Sequence, residues 1–340
     1  MGGNALKRTI TFRKSPADYE TIKSEILKFL KGASIKCLVP KEIPGKETYG
    51  DLDVLYMKPK NFKIEDLIVY LKPHEIVRCK NSPVISFDYK DFQIDFIESE
   101  DLEMSSFYLS YGDLGAILGR ITNSYGLKFG ERGLWLNLMK HTLDSSIPLS
   151  QTDSLGKIML TQSPSKICKF FGLDYDKYLL GFSDTKEIYE WIIETPYFNK
   201  RIFKTLNYDH RKRLEKRTMY IGFLDYIGYS KDTIEKTGDA HMGECLENLQ
   251  NHAINYFNKQ EDLEMINRNI EIRNEIRKKF NAQLFINLGV PKVMLGIYMA
   301  GFKEQIGVSN FDQWILDNES DLIKYYVERF MEVQNVNSVE

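Results

Sequence analysis

The chain has 340 residues, 43% hydrophobic and 28% charged, with a formal net charge of −2 at pH 7. That length suits two or three domains, and the composition is that of an ordinary globular protein. It excludes a membrane-spanning chain, since no apolar run approaches the roughly 18 residues a bilayer crossing needs, and the near-neutral total charge cannot by itself argue for a nucleic-acid partner.

Taken in chain order, residues 16–31 repeat apolar side chains at helical spacing (Tyr19, Ile22, Ile26, Phe29, Leu30) and predict a helix. Ile35–Val39 reads as a strand, residues 52–56 as a second, and 62–72 as a short helix carrying Ile64, Leu67, Ile68 and Leu71. Val84–Tyr89 and Phe92–Glu98 read as a hairpin turning through Lys90-Asp91. The first residues, Met1 to Lys7, lack the apolar core of a signal peptide, and Leu6 stands where a myristoylation motif has Ser or Thr. Cys37, Cys79, Cys168 and Cys245 form no Cys-x-x-Cys pair, which points to a reducing, cytoplasmic setting. There is no zinc signature, P-loop or nucleophile elbow; His241-x-x-x-Cys245 lacks a partner pair and reads as an incidental spacing.

Three acids sit among β-forming residues: Asp51 and Asp53 in Gly50-Asp-Leu-Asp-Val-Leu55, and Asp95 in Phe92-Gln-Ile-Asp-Phe-Ile97. Residues two apart in a strand share a face, so Asp51 and Asp53 project together with Cα atoms roughly 6.5 Å apart. Leu52, Val54 and Ile94 point the other way, into a core. Two like charges at that distance cost each other roughly 2–3 kcal/mol at an effective dielectric near 20, and a third adds to it. A divalent cation removes the conflict, and hard oxygen ligands suit Mg²⁺ or Mn²⁺.

The run Gly45-x-Glu47-Thr48-x-Gly50-Asp51-Leu52-Asp53-Val54-Leu55 resembles the catalytic strand and turn of the DNA polymerase beta superfamily of nucleotidyltransferases, above all its family X polymerases. The resemblance implies a two-metal phosphoryl-transfer site. In it Asp51 and Asp53 hold both Mg²⁺ or Mn²⁺ ions, and Asp95 completes the site for the ion that activates an incoming 3′-hydroxyl. Gly50 lies in the turn that receives the nucleotide. The family's Gly-Ser, which holds the terminal phosphates, falls on Pro40 and Lys41. Proline has no N–H to offer, so Lys41 becomes the candidate point charge for the phosphates.

Beyond residue 105 the character becomes mainly helical. In 111–136, Asp113 is a candidate cap for a helix bearing Leu114, Ile117, Leu118 and Ile121, with Gly115 and Gly119 allowing close backbone approach. Residues 126–134 read as a glycine-punctuated loop or hairpin. Its cations, Lys128 and Arg132, together with Arg120, are candidates for gripping a nucleotide from the far side, and the glycines have packing as their alternative role. From 151 onward the chain reads as small helices, one opening at Ser163-Pro164-Ser165 and another at Thr185-Lys186-Glu187.

Residues 200–217 concentrate Lys200, Arg201, Lys204, Arg211, Lys212, Arg213, Lys216 and Arg217 among Tyr197, Phe198, Phe203, Tyr208 and Tyr220. Cations and rings together suit a single strand or a polynucleotide end; a solvated face with its rings turned inward is the other reading. Arg268, Arg273, Arg277, Lys278 and Lys279 share a helix with Glu271 and Glu275, which favours intrahelical pairing. Near the end, Phe280 to Gly296 and Phe302-Lys303 resemble the tail of transfer-RNA nucleotidyltransferases and poly(A) polymerases, where a turn joins two helices.

These readings combine into an α+β expectation: an N-terminal nucleotidyltransferase α/β core with a mixed sheet and flanking helices (1–105), a helical nucleotide-closing domain (106–205), and a helical nucleic-acid-binding domain (206–340). The expected activity is Mg²⁺-dependent transfer of a nucleoside monophosphate, NMP or dNMP, from its triphosphate to an RNA or DNA 3′ end, releasing pyrophosphate. The alternatives are transfer to a protein or nucleotide acceptor and a catalytically inactive nucleic-acid-binding module.

Overall fold

The computed structural model describes residues 3–60, 62–78, 82–139, 154–204, 217–230 and 246–337. The chain divides into two compact units, Met1–Lys259 and Gln260–Glu340, in a mixed α+β architecture whose last part is helical.

The first helix, α1 (Pro16–Gly32), starts where Ser15 accepts the Asp18 N–H and proline fills the first turn. Tyr19, Ile22, Ile26 and Leu30 recur every three or four residues, so one stripe is apolar, and all four are buried. That stripe packs on a five-stranded sheet made of β1 (Cys37–Leu38), β2 (Asp51–Tyr56), β3 (Ile76–Arg78), β4 (Val84–Tyr89) and β5 (Phe92–Glu98), in the order β1-β2-β5-β4-β3. Only β2 and β5 run parallel; the other neighbours are antiparallel. A short helix, α2 (Ile64–Ile68), packs on the same side, and its Ile64 and Ile68 share one core with Leu52, Val54, Ile85, Phe87, Ile94 and Phe96. Alternation then places the residues between these on the opposite face of the sheet.

The β4–β5 hairpin turns at Lys90-Asp91, both with positive φ (53° and 56°). Two such residues make the mirror-image turn that matches strand twist, a conformation glycine or asparagine adopts more cheaply. Tethers offset the cost: Lys90 Nζ meets Glu25 Oε1 at 2.6 Å, and the Phe12 N–H donates to the Asp91 carbonyl.

After α3 (Leu102–Leu109) and α4 (Leu114–Asn123), the glycine-rich run forms a hairpin of β6 (Leu127–Gly130) and β7 (Gly133–Met139), which β8 (Ser154–Thr161) extends to three strands. Gly133 has φ +122°, and a Cβ there would lie 2.5 Å from the Thr161 carbonyl oxygen, so packing of β8 demands a glycine. Gly115 is equally constrained, with the Tyr108 carbonyl oxygen 2.2 Å from a built Cβ. The expectation of small helices from 151, followed by longer ones after 210, therefore misses β8, whose alternation is interrupted by register shifts against β7. Asp113 sits at the start of α4 without capping it. Its carboxylate instead accepts from Arg217 and from the Tyr220 N–H.

Among the described residues, helices α5 (Pro164–Phe171), α6 (Tyr175–Leu180), α7 (Thr185–Ile193), α8 (Thr218–Tyr226) and α9 (Leu246–Tyr256) follow in the first unit. Ser163 and Asp184 cap α5 and α7 where the sequence places the starts. The second unit holds α10 (Gln260–Lys279), α11 (Ala282–Ile286), α12 (Leu295–Ile306), α13 (Phe311–Asp317) and α14 (Ser320–Asn337) around Phe280, Phe285, Phe302 and Phe330. Gly289, at φ +87°, lies in the connection from α11 towards α12. No helix among the described residues is long and apolar enough to cross a membrane.

Candidate metal centre

Asp51 and Asp53 lie two apart on β2, and Asp95 lies on β5 directly across from Asp53 in the parallel register. Neighbouring strands keep register partners on one face. Asp51, Asp53 and Asp95 therefore project together, away from the α1–α2 core. One carboxylate oxygen from each lies within 4.8 Å of the others, the only such cluster among the described residues. The sequence reading and the structure agree on this trio.

Burial acts on all three. It pushes Asp53 well above the usual carboxylate range, and the charges of Asp51 and Asp95 push further in the same direction. Asp95 is raised to about 6, mainly by burial, against hydrogen bonds from Ser86 and Gln93. Asp51 is raised by burial and drawn back by the Gly3 N–H. Three carboxylates so placed cannot all ionise cheaply without a counter-charge. The donors are all hard oxygens, with no histidine or cysteine in the cluster, so the trio fits a hard divalent cation.

Further polar contacts frame the acids. The Gly3 N–H donates to Asp51 Oδ2 at 3.0 Å, and the Ala5 N–H donates to Gln93 Oε1 at 2.9 Å. The amide nitrogen of Gln93 in turn donates to both Asp95 oxygens, each at 3.0 Å. The field of Lys46 reaches both Asp51 and Asp53. Its ammonium pairs with Glu42 at 2.8 Å and sits 4.7 Å from the Tyr49 ring centre. Tyr49 stacks on Tyr19, whose hydroxyl also donates to Glu42. Sequence reasoning passed over Gly3, Gln93 and Lys46. Gln93 was within reach, being a polar residue two before Asp95 in the same strand.

Of the other expected site residues, Gly50 borders the acids as the residue before Asp51, and the rest make contacts of their own. Gly50 lies beneath Gly3, where a Cβ on Gly3 would come within 2.3 Å of the Gly50 carbonyl oxygen. Lys41 donates from Nζ to the Tyr178 and Leu179 carbonyls at 2.8 and 2.7 Å, at the C-terminal end of α6, and burial lowers its ammonium pKa. The structure thus commits the Lys41 charge to carbonyls 137 and 138 residues away. Arg120 donates twice to the Ile202 carbonyl, Arg132 pairs with Glu100 at 3.6 Å, and Lys128 is exposed on β6.

In the basic stretch, Lys200 and Arg201 are exposed and Lys204 half-buried, while Arg217 pairs with Asp113 at 2.8 Å. Arg211, Lys212, Arg213, Lys216 and Tyr208 lie outside the described residues, as do Cys79, His241 and Cys245. The rings turn inward: Phe203 and Tyr220 are buried, Phe198 packs on Phe203 and Phe223, and Tyr197 on Phe170 and Phe171. Phe203 and Tyr220 thus serve the core, and Tyr197 and Phe198 pack half-buried against other rings.

No protein-family model matches the chain, and no curated protein matches it.

Proposed function

We propose that the protein is a Mg²⁺-dependent nucleotidyltransferase acting on a nucleoside triphosphate and a polynucleotide 3′-hydroxyl. The observation that carries this reading is the convergence of Asp51, Asp53 and Asp95 on one sheet face across the parallel β2–β5 pair, with Asp51 and Asp53 in the run that resembles the polymerase beta superfamily. The reaction joins the hydroxyl oxygen to the α-phosphorus, breaks the bond to the bridging oxygen, and releases pyrophosphate. When bound there, two Mg²⁺ ions would supply charge to lower the pKa of the hydroxyl and to offset charge on the leaving group. Asp51 and Asp53 would hold both ions, and Asp95 the one on the acceptor side. Because β2 and β5 fix the three carboxylates before substrate arrives, the chain's contribution is positioning and electrostatic preorganisation.

Lys46, although paired with Glu42, is the side-chain cation whose field acts on both Asp51 and Asp53, so it suits the triphosphate better than Lys41, whose ammonium is held by two carbonyls of α6. Lys46→Met should raise the nucleotide KM by roughly tenfold, the loss of one charge-assisted contact, with acceptor KM unchanged. Lys41→Met should leave nucleotide KM alone and cost about 1–2 kcal/mol of stability through its two lost carbonyl contacts. Steady-state kinetics and urea unfolding separate the two; a raised nucleotide KM in Lys41→Met alone would reverse the assignment.

The activity is tested by incubating labelled nucleoside triphosphates with Mg²⁺ or Mn²⁺ and RNA, DNA or no acceptor. Elongation of an RNA or DNA 3′ end is the expected result. Self-labelling or a small product without acceptor would redirect the reading to a protein or nucleotide acceptor, and no incorporation under any condition would sink it.

A further inference from the structure

The segment at residues 3–9 joins the acid cluster to the far edge of the sheet through backbone N–H groups alone. Gly3 N–H is on Asp51 and Ala5 N–H is on Gln93, which holds both oxygens of Asp95. The side chain of Leu6 is buried. Lys7, Arg8 and Thr9 then aim three consecutive N–H groups at one carboxylate, Glu75, at 3.2, 2.8 and 2.9 Å. Successive amides converging on an anion make a strong backbone clamp. Glu75 is itself fixed: its N–H donates to Asp88 Oδ1 at 2.7 Å, while Asp88 Oδ2 meets His74 Nδ1 at 2.8 Å. Asp88 is 2% exposed and stands across from Gln93 in the β4–β5 register, closing the frame back onto the acids.

Gly3 is required where it stands. Its φ is +85°, and a Cβ would fall 2.3 Å from the backbone oxygen of Gly50, the residue that leads into Asp51. Backbone cannot yield there as a flexible side chain would, so any larger residue must lift the strap and draw its N–H away from Asp51. Gln93, 2% exposed and occupied at both ends of its amide, has no orientation other than the one that aims its nitrogen at Asp95.

We infer that residues 3–9, with Gln93 and Glu75, form a strap that positions Asp51 and Asp95 for a divalent cation, Gly3 and Gln93 acting directly and Glu75 at a distance. The inference rests on the metal-binding reading above. Hydrogen-bond partners of metal ligands orient them, and their loss typically costs about 10- to 100-fold in metal affinity. Glu75 touches none of the three acids, so an effect of its removal on the cation has to travel through the strap.

The test is Mn²⁺ binding by isothermal titration calorimetry to the full chain, with circular dichroism to monitor the fold. Gly3→Ala and Gln93→Leu should each weaken the Mn²⁺ Kd by about 10- to 100-fold. Glu75→Ala should weaken it less, by roughly 3- to 10-fold, and Glu75→Gln, which keeps one acceptor oxygen, should recover part of that loss. Gly3→Ala and Glu75→Ala alter exposed or half-buried positions, which protects the test if Gln93→Leu fails to fold. Unchanged affinity in both would overturn the strap while wild-type binding still upheld the metal centre. Tighter binding would overturn it too, because the strap would then compete with the cation. Failure of the wild-type chain to bind Mn²⁺ would remove the metal reading and the strap together.

Discussion

Asp53→Asn should abolish nucleotidyl transfer and, in chelator, make the protein more stable than wild type. Burial raises the Asp53 pKa well above the usual carboxylate range, and the charges of Asp51 and Asp95 raise it further. Ionising its carboxylate costs desolvation and repulsion from Asp51 and Asp95. An amide of the same shape removes both terms, so the unfolding midpoint of the variant in chelator should lie above that of wild type. The same change deletes a cation ligand, and transfer should fall by about 1000-fold or more. Mn²⁺ at a hundred times its Kd should add about 2.7 kcal/mol to wild type and far less to the variant. Differential scanning calorimetry with and without Mn²⁺ reads both effects; a variant less stable than wild type in chelator, or one that keeps full activity, would contradict the account.

Asp95→Asn should change stability by an amount that depends on pH in a direction set by the raised pKa. The folded state binds the Asp95 proton more tightly than the unfolded state, because burial raises the group from 3.8 to about 6. Its stabilising contribution is therefore complete below about pH 4 and is lost as pH rises through 6. Above about pH 7 the ionised carboxylate has forfeited about 3 kcal/mol relative to its protonated form. The asparagine variant does not titrate there, so its stability relative to wild type should climb across this window and then level off. Glu187, held down to about 2 chiefly by Lys177, runs the other way and loses its contribution in acid, but it is common to both proteins and cancels in the difference. Urea unfolding in chelator at about pH 4, 5.5 and 7.5 measures it. A difference that stays flat with pH would mean that Asp95 is not strained by its surroundings.

The facing of each acid was legible because strand alternation is local, while Asp95's place beside Asp53 was implied by the resemblance and is made by the long-range β2–β5 pairing. Alternation puts Asp51 and Asp53 on one face, the β4–β5 turn at Lys90-Asp91 sets the phase of Asp95, and the helical stripe of α1 shows which face of the sheet is core. The β6–β7 hairpin was legible for the same reason, its glycines marking a turn. Periodicity failed where an element is too short or too irregular to show a period: β3 has three residues, and β8 slips register against β7.

Partners distant in the chain were settled only by tertiary structure. Lys41 reads in sequence as a free charge beside a phosphate site, yet packing of α6 brings two carbonyls to its ammonium. Tyr197, Phe198, Phe203 and Tyr220 read equally well as stacking rings or core; three-dimensional packing chose the core for Phe203 and Tyr220, since apolar rings gain more from burial than from water. Gly3 and Asp51 are 48 residues apart, and Ala5 and Gln93 are 88 apart, so nothing in a local window announces the strap. The sequence by itself determined which side chains share a face, because covalent geometry fixes the periods of strand and helix. What lies on that face was decided only by the tertiary structure, because long-range contacts depend on how separate elements pack and leave no spacing in the chain to read.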